Sequence, residues 1–140
     1  MKQLCLLIVV AVLALSGTTQ AQSINKTWQL SFKESMAYMP QAQQASFKQL
    51  DPNTMKIMKN SFERLRYKFV AGGRLEMVVM ADGNPVKQLV GTWKRNGNKL
   101  SLYALGAGNG DREEFTIVKL TNSLLVIKKD SDQHLAFVAK

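Results

Sequence analysis

The chain has 140 residues, a formal net charge of +9 and a single cysteine, Cys5. This length suits one domain rather than several. One cysteine and one histidine, His134, exclude a disulfide framework and leave too few ligands for a zinc site.

Residues 1–21 have the composition of a secretory signal peptide. Lys2 supplies a positive start, residues 4–15 form an unbroken apolar run, and small and polar residues follow up to Ala21. The apolar run is shorter than the roughly 20 residues that a membrane-spanning helix needs. We therefore predict cleavage after Ala21, a secreted or periplasmic location, and a mature chain with no integral membrane segment. Cys5 lies too early in the run to be a lipid-attachment cysteine.

The mature chain opens with a predicted strand over 26–33. In it, Trp28, Leu30 and Phe32 alternate with polar residues, which is typical of a strand with one apolar face. The pattern then changes, and a short helix is predicted over 36–50.

Asp51 and Pro52 indicate the start of a second helix. Aspartate caps free backbone amides, and proline suits the first helical position because no amide partner is needed there. Met55, Met58, Phe62 and Leu65 then recur at intervals of three and four, which places them on one helix face. This face is either ordinary core packing under the helices or the inner side of a lid over an apolar pocket.

From residue 65 onward, apolar residues alternate with a period of two. Strands are predicted over 65–71, 74–80, 86–95, 99–105, 112–120, 124–129 and 134–139. The links between them are short, and short links produce an antiparallel meander. A meander of about eight strands leaves two open edges unless it closes. We therefore predict a mainly β fold over 22–140: an eight-stranded antiparallel up-and-down barrel with a two-helix insertion between strands 1 and 2.

The alternation also predicts which side chains point inward. The expected inward set is Trp28, Leu30, Tyr67, Phe69, Leu75, Met77, Leu89, Trp93, Leu100, Leu102, Phe115, Ile117, Leu135 and Phe137. Residues 124–127 are apolar on both parities, which is typical of a strand covered on both faces. At this strand number, a barrel interior either fills with side chains or holds one small ligand.

Several motifs carry a resemblance to a known family. The central hairpin reads GTW over 91–93 and GNKLSL over 97–102, and the first strand reads KTWQL over 26–30. These stretches, and the run over 115–127, resemble small secreted lipocalin-like proteins of bacteria. The first-strand motif of that family is Gly-x-Trp, and this chain has Asn25 or Lys26 where the glycine is expected. The resemblance implies a calycin-type β-barrel with an apolar pocket and a binding role.

Two functions are compatible with these patterns. The first is binding of a small hydrophobic or amphipathic molecule inside the barrel. Its predicted ligand-binding residues are Trp28, Tyr67, Phe69, Met77, Trp93 and Phe115 in the cavity, with Met55, Met58 and Phe62 in the lid. The second is an envelope interaction module with a filled barrel, whose basic outer face binds a protein or an anionic surface. No cofactor is predicted, and an exported chain is not expected to meet nucleic acid.

No constellation for catalysis or metal binding is evident in the sequence. His134 lies beside Asp130 and Asp132, where it is either a general base oriented by an aspartate or a solvated residue at a turn. Glu113 and Glu114 are adjacent on one strand, so their side chains point to opposite faces. The glycine-rich stretch over 106–111 is expected to be a loop at the barrel rim. We therefore predict no catalytic residues, no metal site and no enzymatic activity.

Overall fold

The computed structural model describes residues 22–105, 112–130 and 132–140, so the predicted signal peptide and rim loop lie outside the described residues. Eight strands follow one another around a closed antiparallel barrel. They are β1 Thr27–Leu30, β2 Arg66–Val70, β3 Arg74–Ala81, β4 Asn84–Asn96, β5 Lys99–Ala104, β6 Arg112–Leu120, β7 Leu124–Lys128 and β8 His134–Ala139. The first strand pairs with the last, which closes the ring. The predicted eight-stranded barrel is confirmed.

The strand register places the predicted apolar parity inside the barrel. Residues paired across neighbouring strands share one face of a sheet. Pairs on the inward face include Trp28 with Tyr67, Phe69 with Leu75 and Leu100 with Phe115. Five of these six side chains belong to one hydrophobic core cluster, and Tyr67 packs against it.

Three helices connect β1 to β2: α1 Phe32–Ala37, α2 Gln41–Lys48 and α3 Pro52–Glu63. The helices α2 and α3 confirm the predicted two-helix insertion, and α1 is an additional short helix. The first strand was predicted to continue to residue 33, but it ends at Leu30 because Ser31 begins a helix. The Ser31 side chain accepts a hydrogen bond from the Glu34 amide at 3.2 Å, which caps α1.

Helix α1 is fixed to β8 where β1 ends. Ser35 is wholly buried, and its Oγ accepts a hydrogen bond from the Ala136 amide at 2.9 Å. The same hydroxyl donates to the Ala136 carbonyl oxygen at 3.3 Å, and the Ser31 amide also donates to that oxygen at 2.9 Å. Helix α1 and its capping residue therefore supply hydrogen-bond partners to the amide and carbonyl groups of Ala136, where β1 has ended and no longer pairs with β8.

The helices share an aromatic cluster at one end of the barrel. Phe32 of α1 meets Phe47 of α2 and Phe62 of α3 edge to face, with ring centroids 5.7 and 5.5 Å apart. The capping role predicted for Asp51 is confirmed, since its carboxylate accepts hydrogen bonds from the Asn53 and Thr54 amides. Over the described ranges, the helices are all too short or too polar to cross a membrane.

A bulge in the β3–β4 pair overturns one expectation. Leu75 pairs with Gly91, but the next residue, Glu76, pairs with Leu89, so Val90 is an extra residue in β4. An extra residue reverses the faces of the side chains that precede it. Leu89 was predicted to point inward, and this prediction is wrong: its side chain is 45% exposed.

Strand β7 is covered on both faces, as predicted. Leu125, Val126 and Ile127 are consecutive, so they alternate between the inner and outer faces, and all three are buried. The outer face of β7 is therefore shielded from solvent, as its inner face is.

The two ends of the barrel differ. At the end where β1 begins, which we call the closed end, Ile24, Trp28, Leu100 and Leu125 are almost completely buried. The indole Nε1 of Trp28 donates a hydrogen bond to the Ile24 carbonyl oxygen at 3.0 Å. The opposite end, which we call the helical end, carries the three helices between β1 and β2. Any ligand site inside the barrel must therefore open toward the helical end.

Candidate functional site

A cavity of about 270 Å³ lies inside the barrel. Its lining side chains come from β1 to β3 and from β5 to β8, with one residue between α3 and β2. They are Leu30, Leu65, Tyr67, Phe69, Leu75, Leu102, Glu113, Phe115, Ile127, Leu135 and Phe137. All except Glu113 and the Tyr67 hydroxyl are apolar, so the cavity suits a hydrophobic molecule.

Aromatic contacts fix the walls of this cavity. The Tyr67 ring meets Phe137 edge to face, with centroids 6.2 Å apart. The Phe69 ring meets Trp93 in the same geometry at 5.6 Å. Edge-to-face pairs hold each ring in one orientation, so the cavity has a defined shape.

The mouth of the cavity carries an ion pair. A Glu113 carboxylate oxygen lies 3.3 Å from the Lys129 ammonium nitrogen. That nitrogen also lies 5.7 Å from the centroid of the Phe115 ring, which lines the cavity. The two charged side chains are 60% and 39% exposed, so the pair meets both solvent and the apolar interior.

The Tyr67 hydroxyl stays protonated beside this carboxylate. Burial raises the pKa of Tyr67 above its ordinary value of 10.0, and the negative charge of Glu113 raises it further. A neutral phenol can both donate and accept a hydrogen bond. The cavity therefore offers a ligand two polar partners, the Glu113 carboxylate and the Tyr67 hydroxyl.

Glu113 marks the point where the cavity meets the outside. Besides the interior, it lines a cleft of about 440 Å³ together with Arg112, Glu114 and Lys129. It also lines a second cleft of about 480 Å³ beside Tyr103. Glu113 lines the interior cavity and both clefts, so the mouth of the cavity lies at this side chain.

A separate groove of about 560 Å³ lies between the helices and the start of β8. Its walls are Met39, Pro40, Gln43, Ser46, Phe47, Phe62, Asp132, Gln133, His134 and Leu135. Leu135 lines both this groove and the interior cavity. Of the three predicted lid residues, Phe62 lines the groove, whereas Met55 and Met58 are half-buried on α3 and line neither space.

The six predicted cavity residues fall into two groups. Tyr67, Phe69 and Phe115 line the cavity. The other three do not: Trp28 is packed at the closed end, Met77 is half-buried on β3, and the Trp93 indole donates to the Val70 carbonyl oxygen at 3.1 Å. Alternation assigns a side chain to the inner face but not to a depth along the barrel.

The predicted inward set lacks three residues that line the cavity: Leu65, Glu113 and Ile127. Leu65 continues the apolar face of the second helix in the sequence, whereas the structure places it between α3 and β2. The signal for Glu113 is present, because it shares its parity with Phe115 and Ile117, two inward residues of the same strand. It was considered only as one member of a carboxylate pair with Glu114, whose side chains point to opposite faces.

His134 contacts a backbone carbonyl oxygen rather than an aspartate carboxylate. Its Nδ1 lies 3.0 Å from the Asp132 carbonyl oxygen, and its ring stacks on Tyr38 at 5.9 Å. The Asp132 carboxylate is held instead by the Lys128 ammonium at 2.9 Å, which lowers its pKa. Among the residues that the structure describes, no three His, Cys, Asp or Glu side chains are grouped to hold a metal ion.

The sequence model of the lipocalin-like domain matches residues 24–127. The chain belongs to the lipocalin-like domain family. The matched range contains all the lining residues of the cavity except Leu135 and Phe137, which lie on the closing strand. No curated protein shows significant similarity to the chain. A lipocalin-like barrel of eight strands can hold one small ligand in its interior.

Proposed function

We propose that this lipocalin-like domain binds one small apolar or amphipathic molecule inside its barrel. The cavity of about 270 Å³ with its apolar lining is the observation that supports this. The role is binding rather than catalysis, since the polar groups at the cavity are one ion pair and one neutral phenol.

The cavity volume sets the size of the ligand. A protein cavity of roughly 150 Å³ holds one benzene molecule, and drug-sized pockets begin at about 300 Å³. The interior therefore suits an apolar group of about a dozen non-hydrogen atoms. At roughly 0.5 kcal/mol per atom, such a ligand binds with a Kd of tens of micromolar.

A pair of leucine-to-tryptophan variants tests this proposal. Leu102 lines the cavity, so Leu102→Trp fills it, whereas Leu105 is 57% exposed, so Leu105→Trp leaves it open. Decanol at high micromolar concentration should raise the melting temperature of the wild type and of Leu105→Trp but not of Leu102→Trp. An unchanged wild-type melting temperature, or an equal rise in all three proteins, contradicts binding in the cavity. If Leu102→Trp does not fold, Leu135→Phe fills the same space.

The natural ligand can be identified directly. An organic extract of the protein, purified from its own cell envelope without detergent, should contain one small molecule in stoichiometric amount by mass spectrometry. A repeated blank, despite gentle purification, argues for a barrel that acts through its surface.

That second candidate has two observations in its favour. The β3–β4 hairpin exposes three apolar side chains, Met80, Val86 and Leu89, which are 37%, 52% and 45% exposed. Removing Lys2 with the signal peptide leaves a net charge of +8 (from +9), which attracts anionic surfaces. The interior cavity counts against the filled barrel that this alternative assumes. Cosedimentation with anionic vesicles that weakens as salt is raised would support it.

We propose further that the chain is exported and cleaved after Ala21. The composition of residues 1–21 supports this, and so does the position of β1, which begins at Thr27. Cleavage would therefore remove no strand of the barrel. The intact mass of the mature protein tests the proposal: a chain beginning at Gln22 supports it, and a chain that retains residues 1–21 contradicts it.

A further inference from the structure

The charge on the described cavity wall is negative and is confined to one side chain. Among the described lining residues, Glu113 is the one charged side chain. Lys129 lines the outer cleft and not the interior. The Glu113 side chain is 60% exposed, so its carboxylate can be reached both from solvent and from the cavity. A ligand in the cavity therefore meets a negative charge first.

The present partner of Glu113 is easily replaced. The Glu113–Lys129 pair is formed by two partly exposed side chains, and such pairs contribute little stability. Lysine is a flexible side chain that water readily solvates when it is released. A ligand cation can thus take the place of the Lys129 ammonium on the carboxylate.

A ligand anion lacks this opportunity. To pair with Lys129, an anionic head group would have to displace the Glu113 carboxylate, which already lies 3.3 Å from the ammonium and also lines the cavity. The Tyr67 hydroxyl, whose pKa is raised by burial and by Glu113, is neutral and adds a hydrogen bond to either kind of head group. The charge of Glu113 therefore decides the selectivity.

We propose that the cavity selects amphiphiles with an ammonium head group, which the Glu113 carboxylate holds at the mouth while the apolar tail fills the interior. This inference rests on the proposed function, since it names the ligand class of the same cavity. It predicts a preference for alkyl- or arylamines over alcohols and carboxylates of equal length.

Three probes that have ten carbons each and differ in their head groups test the inference: decylamine, decanol and decanoate. Each is titrated into the protein by calorimetry below its aggregation concentration. Decylamine should bind about tenfold more tightly than decanol, since one charge-assisted hydrogen bond is added, and decanoate should bind most weakly. Glu113→Gln should weaken decylamine binding about tenfold and leave decanol within roughly twofold.

Glu114→Gln is the matched control. The same chemical change is made one residue away, on the opposite face of β6, where Glu114 pairs with Arg112 at 3.0 Å. It should leave all three affinities unchanged. Lys129→Met removes the competing ammonium and should strengthen decylamine binding about threefold.

The outcomes separate the two proposals. If no probe binds the wild type, the proposed function fails and the inference with it. If decanol binds but decanoate binds as well as decylamine, or Glu113→Gln leaves decylamine unaffected, cavity binding stands and the inference is overturned. A loss of decanoate binding in Lys129→Met, with no gain for decylamine, would overturn it in favour of an anionic head group.

Discussion

The indole Nε1 of Trp28 donates its hydrogen to the carbonyl oxygen of Ile24 at 3.0 Å, and both residues are almost completely buried. The same carbonyl accepts the Lys26 amide at 2.7 Å. The segment before β1 is thus bound to an inward side chain of β1. This contact seals the closed end of the barrel.

Trp28→Phe should destabilise the fold more than Trp93→Phe. Trp28 is completely buried, so the change leaves a small cavity and removes one hydrogen bond, at about 2 kcal/mol. Trp93 is half-buried and bonds to the Val70 carbonyl oxygen, so its loss should cost about 1 kcal/mol. Urea unfolding of both variants gives the comparison, and an equal loss in the two would contradict a packed closed end.

Gly91→Ala should be strongly destabilising for a steric reason. A Cβ at this position would lie 1.9 Å from the Tyr103 carbonyl oxygen, a backbone atom of the neighbouring strand. The backbone cannot move aside without disturbing the β4–β5 pairing, so we expect a loss of about 3 kcal/mol. Thr92→Ala, at the exposed next residue, should change stability by less than about 0.5 kcal/mol. Similar melting temperatures for the two variants would be inconsistent with this close approach.

Asp51 should give α3 a pH-dependent stability. Its hydrogen bonds to Thr54 lower its pKa below the ordinary 3.8, so the folded state holds the charged form more strongly than the unfolded state does. The stabilisation is present above pH 3.8 and is lost as pH falls through the lowered pKa. The melting temperature of Asp51→Ala should therefore lie below that of the wild type at pH 7, and the gap should narrow in acid. Asp51→Asn retains a cap without the charge and should show no such narrowing.

Glu113→Gln should lower the pKa of Tyr67 without restoring the ordinary value of 10.0. Burial is the larger cause of the raised pKa, and it remains when the charge is removed. Glu114→Gln should leave the Tyr67 pKa unchanged, because that side chain lies on the outer face. The protein has three tyrosines, so the titration is read as the difference in ultraviolet absorbance between each protein and its Tyr67→Phe counterpart. An equal effect of both glutamate variants would contradict an inward-pointing Glu113.

The strands could be predicted closely because apolar and polar residues alternate along most of them. Period-two alternation placed β6 at its observed bounds and β3 within one residue. The helix α1 was missed because Phe32 fits the alternation of β1, while a side-chain contact of Ser31 decides the conformation. The bulge that turns Leu89 outward was missed for a similar reason, since it depends on pairing with another strand.

The site could be predicted less well than the fold. Tyr67 and Trp28 are equivalent by alternation, yet Tyr67 lines the cavity and Trp28 packs the closed end. Depth along the barrel depends on strand tilt and on which end is packed, and neither is encoded in a two-residue period. Glu113 shows the opposite difficulty, because the alternation of β6 places it on the inner face, although it was considered only as part of a carboxylate pair.

The pairing of β1 with β8 joins the beginning of the domain to its end. These contacts have nearly the largest sequence separation that the chain allows, and such contacts form late and slowly. While β8 is still being synthesised, β1 and β7 each have an edge without its neighbour, so the ring stays open until the last residues emerge. The barrel is therefore complete only when the whole domain is available, because its last strand is the one that covers both open edges.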